Sequence, residues 1–170
     1  MRRIVPIVFT TVFLAVSVWA GVALAQDGER VPVGPSGSTV ASVEVFLGFL
    51  LGGQDVAYFA EDAVFHVISM PAPYVGREAI AGMIEMFFQG GAFTDTHLEL
   101  RSMVADGSRL VIEFLYEGTN TANFLHRPPT GQRVSMPMIA IYEIEGGMIV
   151  GARLYYDCAR MLRQLGHDCE

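Results

Sequence analysis

The chain contains no lysine; all eleven of its basic residues are arginine. That excludes a Schiff-base lysine and a phosphate-loop lysine. Histidine occurs four times and cysteine twice, dispersed and without metal-ligand spacing. A serine nucleophile elbow and a Gly-rich phosphate loop are also missing, so neither a metal nor a cofactor is expected. Positive charge is scarce: 18 acidic residues against 11 Arg give a net charge of -7. Such a surface repels nucleic acid and anionic lipid.

The first apolar run reads as a leader. Arg2 and Arg3 make a positive start, Ile4 to Val22 is largely apolar, and Ala23-Leu24-Ala25 ends it with a small-x-small pattern. The run is nearly long enough to span a bilayer, which makes a membrane anchor the rival reading. The polar segment Gln26 to Arg30 just after the pattern favours cleavage after Ala25. The mature protein is then exported, to a bacterial periplasm, with no stable membrane anchor. Cleavage removes two Arg and no acid, moving the net charge to about -9. About 145 residues remain, enough for one domain with one core. Residues 26–37 form a flexible lead-in and 38–170 the domain.

Cys158 and Cys169 stand 11 apart in a compartment that permits disulfides. A continuous helix would hold them ~16 Å apart, too far to bond. A turn at Gly166 would bring them together, so both states remain open.

Ser38 or Thr39 can cap a first helix, whose apolar face is Val43, Phe46, Leu47, Leu50 and Leu51, ending at Gly52-Gly53. A short helix over Gln54 to Phe59 and a strand over Ala63 to Val67 follow. Next comes a Pro-rich loop. Ile80, Met83, Ile84, Phe87 and Phe88 repeat the helical spacing up to Gln89-Gly90-Gly91. The period then changes to two, with Leu98, Leu100 and Val104 on one strand, a turn at Asp106-Gly107, and a strand from Leu110 to Glu117. Val134 to Ile144 and Met148 to Tyr156 form a second hairpin around Glu145-Gly146-Gly147, and a last helix runs from near Asp157 to Gly166. This order is α+β, a curved sheet wrapped on helices. The last two strands are apolar on both faces, which calls for helices on one side and a partner subunit on the other.

Three segments carry a resemblance. Phe65 to Ile80 (FHVISMPAPYVGREAI) is similar to an aromatic-x-x-M-P-x-P-x-Y-G-R-x-A loop, and Ala140 to Asp157 matches a terminal hairpin nearly without gaps. Gly118-Thr119-Asn120-Thr121 and Pro128-Pro129-Thr130-Gly131 look like G-T-H-T-G and P-P-T-G runs. The chain thereby resembles the SnoaL-like and limonene epoxide hydrolase families, which share the fold of nuclear transport factor 2. The resemblance implies a cone-shaped, curved mixed or antiparallel sheet around three to four helices, and a dimer. In the epoxide hydrolases an arginine bridges two aspartates, one activating a water and the other protonating the epoxide. Carried over without gaps inside each segment, those positions fall on Leu115, Glu117 and Leu154, and the water-holding Tyr and Asn on Phe65 and Val67. One acid survives, so the resemblance implies the frame without direct hydrolysis.

By alternation Met136, Met138, Ala140, Leu154 and Tyr156 share the concave face with Phe65, Val67 and Leu115, and Glu117 is the carboxyl among them. A carboxyl so desolvated has a raised pKa and can donate a proton; a solvated place beside Glu113 is its other reading. His66 is the second candidate acid, although alternation turns it outward unless a bulge intervenes. Met70 and Tyr74 stand on the rim, as ligand contacts or as packing. Asn120 can bond a substrate oxygen or fill a turn. Asp157 reads as a helix cap, and His126 and Arg127 as surface.

The expectation is a cofactor-independent enzyme that opens a small apolar epoxide, a terpenoid, by acid assistance and lets it rearrange without water. Glu117 or His66 is the acid, and Met70, Tyr74, Asn120, Met138, Leu154 and Tyr156 contact the substrate. The alternatives are a cyclase or isomerase of a carbonyl substrate, an epoxide hydrolase, and a carrier of a hydrophobic ligand.

Overall fold

The structure is a computed structural model and describes residues 37–167. The leader, residues 26–36 of the lead-in, and Cys169 with its pairing to Cys158 lie outside the described residues. Within them no helix is long and apolar enough to cross a membrane.

Helix α1 spans Gly37–Leu51. Its innermost line is Ser42, Phe46 and Phe49, at i, i+4 and i+7, with Val43, Leu47 and Leu50 beside it. Leu51, expected on that face, is exposed, because the Phe46 to Phe49 pair rotates the buried stripe away from it. In place of the short helix expected from Gln54, Asp55 accepts a hydrogen bond from the Ala57 N–H (2.9 Å) and starts a single 3-10 turn, Val56–Tyr58. Strand β1, Phe59–Val67, follows directly. The Pro loop comes next and ends in a two-residue strand, β2, Tyr74–Val75. Helix α2 (Arg77–Phe88) precedes β3 (Phe93–Asp106), β4 (Arg109–Asn120), β5 (Arg133–Glu145), β6 (Met148–Tyr155) and α3 (Cys158–Gln164). The Asp157 carboxylate accepts from the Arg160 N–H at 2.8 Å, the capping bond its position suggests.

The sheet order is β2-β1-β6-β5-β4-β3. Three consecutive hairpins make β3 to β6 antiparallel, while β1 lies parallel to β6 with Val67 opposite Leu154. Parallel pairing puts the C-terminal ends of β1 and β6 at the same edge. The Pro loop and the start of α3 therefore meet there.

Cross-strand partners share a face. The concave face reads Phe65 to Ala152 and Val67 to Leu154, then Leu154 to Ala140, then Met138 to Phe114 and Met136 to Tyr116. Phe114 and Tyr116 are therefore inside, and Leu115 and Glu117, opposite Pro137 and Ser135, are on the convex side. The expectation for β4 was one residue out of register, and a one-residue slip exchanges the faces of every side chain. The strand's own alternation carries the correct phase: Leu110, Ile112, Phe114 and Tyr116 are buried, while Arg109 and Glu113 are exposed.

Helix α2 ends without an exposed orphan carbonyl. The oxygens of Glu85 and Met86 accept from the Gly91 and Ala92 N–H groups (3.0 and 2.9 Å). Those of Phe87 and Phe88 accept from the Tyr116 and Thr96 hydroxyls (2.6 and 3.1 Å). The Tyr116 bond holds Phe87 against the sheet.

Candidate active site

Where the ends of β1 and β6 meet, Tyr156 points its phenol into the molecule, and the oxygen is buried with no hydrogen-bond partner among the described residues. A buried phenol left without a hydrogen bond costs about 1 to 3 kcal/mol, which a bound water or ligand oxygen can recover. Burial pushes the phenol well above its ordinary value of 10.0. The Ser69 hydroxyl of the Pro loop acts in the opposite sense, and Cys158 and Tyr74 add to the rise. Ser69 and Cys158 thus lie within interaction range of the oxygen. The Tyr74 phenol is raised by its own burial, and Tyr116 by burial and then by Tyr156. Phe87 packs edge-on to both Tyr156 and Tyr116, with ring centres 6.3 Å from each. Three neutral phenols and a serine hydroxyl thus gather at one end of an apolar cone.

Of the residues expected to touch substrate, the structure brings Met70, Tyr74, Met138, Leu154 and Tyr156 to this region or to the core beneath it. Glu117 and His66 are on the other side of the sheet. The Glu117 carboxylate accepts from Arg133 at 3.4 Å on the convex face, partly exposed and ion-paired instead of enclosed among the apolar side chains. His66 stands between buried Phe65 and Val67, facing outward in register with Arg153; the irregularity in β1 falls earlier, between Phe59 and Val64. Asn120 is fully buried, but its hydrogen bonds are internal. Its amide donates to the Ala92 and Ala122 carbonyls (3.1 and 2.8 Å), and its oxygen accepts from the Thr130 N–H (2.9 Å). It ties the loop after β4 to the start of β3. Asn120→Ala is expected to cost about 2 to 3 kcal/mol and to open residues 121–131 to limited proteolysis, because the three bonds of a buried amide, one of them to buried Ala92, are lost together.

Sequence reasoning missed Tyr116, Phe87, Ser69 and Cys158. Tyr116 was legible from the alternation of β4. The others depend on contacts between elements distant in the chain. Among the described residues no three His, Cys, Asp or Glu side chains come together as a metal site.

A concavity of about 450 Å³ opens beside this region, lined by Ile68, Glu113, Met138, Ile139, Tyr155 and Tyr156 among others. A larger open depression, about 560 Å³, lies between α2 and the segment after β4; none of the groups around the Tyr156 phenol lines it.

A curled six-stranded sheet closed by helices over an apolar interior, with its polar groups at one end, defines a cone-shaped α+β protein of the small-molecule enzyme type. Residues 55–165 match the model of the SnoaL-like polyketide cyclase family, and the chain belongs to that family. A structure from Jannaschia sp. CCS1, described as a SnoaL-like polyketide cyclase, is similar with 18% identity and a TM-score of 0.70, over 78% of this chain and 96% of that one. IdmH from Streptomyces antibioticus, described as a polyketide cyclase, has 25% identity and a TM-score of 0.57, over 77% and 99%. An LEH-like epoxide hydrolase from M. tuberculosis has 17% identity and a TM-score of 0.58, over 75% and 90%. Comparison with curated proteins found no match.

Proposed function

We propose that this protein is a cofactor-independent enzyme that opens a small apolar epoxide, a terpenoid, and lets it rearrange without adding water, a reaction of the α-pinene oxide lyase type. The observation that carries this reading is the buried Tyr156 hydroxyl, whose oxygen makes no well-formed hydrogen bond among the described residues, in a largely apolar site. A buried neutral phenol is a hydrogen-bond donor held ready for an oxygen atom. As the epoxide C–O bond breaks, the oxygen takes the Tyr156 proton and becomes a hydroxyl. The carbocation then loses a proton from the adjacent carbon, or shifts a hydride and releases the hydroxyl proton, and the phenolate takes that proton back. Protons balance within one residue and the product is an isomer of the substrate.

Apolar surroundings support rearrangement over hydrolysis. Phe65, Val67 and Leu154, where the hydrolases hold and activate water, are buried here. Aromatic faces near the phenol, those of Phe87 and Tyr116, can shelter positive charge. Family membership favours a second reading, a cyclase or isomerase in which the same phenol binds an enolate oxygen. That reaction also needs a base, and among the described residues the buried polar side chains other than tyrosine are Ser42 and Asn120, neither of which is one.

Incubation with a monoterpene epoxide, followed by chromatography, tests the proposal. An unsaturated alcohol or aldehyde is the expected product; a diol, or recovery of unchanged but bound ligand, would overturn it. Tyr156→Phe is expected to lower turnover about 100-fold with a smaller change in KM, as for loss of one donor to a developing oxyanion. Glu117→Gln is expected to leave turnover unchanged. The reverse ranking of these two variants would return the acid to the convex face.

A further inference from the structure

The Tyr156 oxygen is buried, so a substrate reaches it only when a neighbouring element moves. Three elements adjoin it: α2 through Phe87, α3 through Cys158, and the Pro loop through Ser69. Helix α2 is fixed, with Ile80, Met83, Ile84 and Phe87 buried and the Phe87 carbonyl accepting from the Tyr116 hydroxyl at 2.6 Å. Helix α3 is fixed as well. It buries Met161, and Gln164 in its last turn accepts from the Ser135 N–H (2.8 Å) and donates to the Ser135 carbonyl (3.2 Å).

The Pro loop is held only at its ends. On the near side the Ile68 N–H donates to the Leu154 carbonyl (2.9 Å) and the Met70 N–H to that of Val67 (2.8 Å). On the far side Tyr74 and Val75 pair with Phe65 and Val64, and the Gly76 N–H donates to the Ala63 carbonyl (2.8 Å). Between them Pro71, Ala72 and Pro73 are exposed and make no backbone hydrogen bond among the described residues. Of the apolar side chains from Ile68 to Pro73, only Met70 packs against the core. The two prolines fix their own φ and hold Met70 and Ala72 out of the helical region, which makes the segment extended and stiff. Such a segment moves as a strap, bending at its ends.

Register sets this strap over the phenol. Val67 lies opposite Leu154 on the concave face, and the Ile68 bond carries the pairing one step further. Two residues on along each chain, Ser69 and Tyr156 fall side by side, and Ser69 is within interaction range of the phenol oxygen.

We infer that residues 69–73 gate this site: the strap swings away from Tyr156 to admit substrate, then closes Ser69 and Met70 over it and shuts out water. Admission of substrate rests on the epoxide reading; the swing does not. Opening costs one backbone bond, that of the Met70 N–H, and the packing of one half-buried side chain. Closure by a stiff strap has a chemical consequence. An enclosed carbocation loses a proton, whereas one that meets water becomes a diol.

Amide exchange of the native protein, followed residue by residue by NMR, tests the swing. The Met70 N–H is expected to exchange about 100-fold faster than those of Ile68 and Gly76, whose bonds are of similar length but belong to the fixed ends. Equal protection of the three would overturn the inference. A monoterpene epoxide bound to Tyr156→Phe, which retains it, is expected to slow Met70 exchange about tenfold, and binding without slowing would also overturn it. Pro71→Gly with Pro73→Gly frees the strap backbone. With the same epoxide this variant is expected to release a diol beside the isomer and to turn over about tenfold more slowly than the native chain. Unchanged product and rate would remove the gate. Fast Met70 exchange in a protein that turns over no epoxide would leave the swing standing and sink the epoxide reading.

Discussion

Phe87→Ala is expected to destabilise the fold by about 3 to 5 kcal/mol, read as a lower midpoint in urea. Phe87 is fully buried, and its ring contacts those of Phe88, Phe93, Tyr116, Phe124 and Tyr156 at 5.5 to 6.3 Å. Truncation removes the hub around which α2, β3, β4, the loop after β4 and the residue following β6 pack. The neighbours are themselves large rings fixed by one another, so they cannot collapse into the space, and the cavity cost adds to the transfer cost. Against a total stability of about 5 to 15 kcal/mol this is a large fraction. Phe93 and Phe124 are also in direct contact, at 5.1 Å, so the cluster should be non-additive: Phe87→Ala with Phe124→Ala should cost less than the two effects combined. A loss below about 1 kcal/mol would mean that the cluster relaxes freely, contrary to the close packing described.

The second large effect is a collapse of stability in alkali. Burial raises the phenols of Tyr116, Tyr142 and Tyr156 above their ordinary 10.0. Above pH 10 they stay neutral in the folded chain and ionise in the unfolded chain, so the unfolded state binds fewer protons. Their stabilising contribution is fully present below pH 10 and is lost as pH rises beyond it toward the folded values. Each phenol contributes a slope of about 1.4 kcal/mol per pH unit, roughly 4 for the three together. Two units above pH 10 that would exhaust most of a typical domain's stability. Denaturant midpoints measured from pH 8 upward should be flat and then fall steeply, and Tyr142→Phe should remove about one third of the slope. A midpoint insensitive to pH above 10 would show that these phenols reach solvent in the native state. The same neutrality keeps Tyr156 a donor across the ordinary pH range.

Most elements were legible because their periodicity is strong. Ile80, Met83, Ile84 and Phe87, spaced for one face of α2, are the residues it buries. The glycines expected at the turns, Gly107 and the pair Gly146 and Gly147, adopt positive φ, which only glycine takes without strain. The candidate site was legible in part. That Met138 and Leu154 are buried on the concave face followed from the alternation of β5 and β6, and that Met70 and Tyr74 pack against the core beside Tyr156 is consistent with their place in the Pro loop. Glu117 was misplaced because a family position was carried onto β4 without regard to that strand's own alternation. For Asn120 residue type suggested a ligand contact, whereas three internal bonds engage both ends of its side-chain amide.

The sequence by itself determined the α+β order, the apolar concave face of β1, β5 and β6, and the lack of lysine chemistry, because these depend on composition and on spacing within one segment. Only the tertiary structure decided that β1 runs parallel beside β6, and so that Ser69, Tyr74 and Cys158 gather around Tyr156. It alone showed that the Tyr156 oxygen makes no well-formed hydrogen bond among the described residues while Tyr116 donates to the Phe87 carbonyl. Local spacing fixes which way a side chain faces. Whether a buried polar atom finds a partner depends on residues brought together from distant parts of the chain, and no single segment records them.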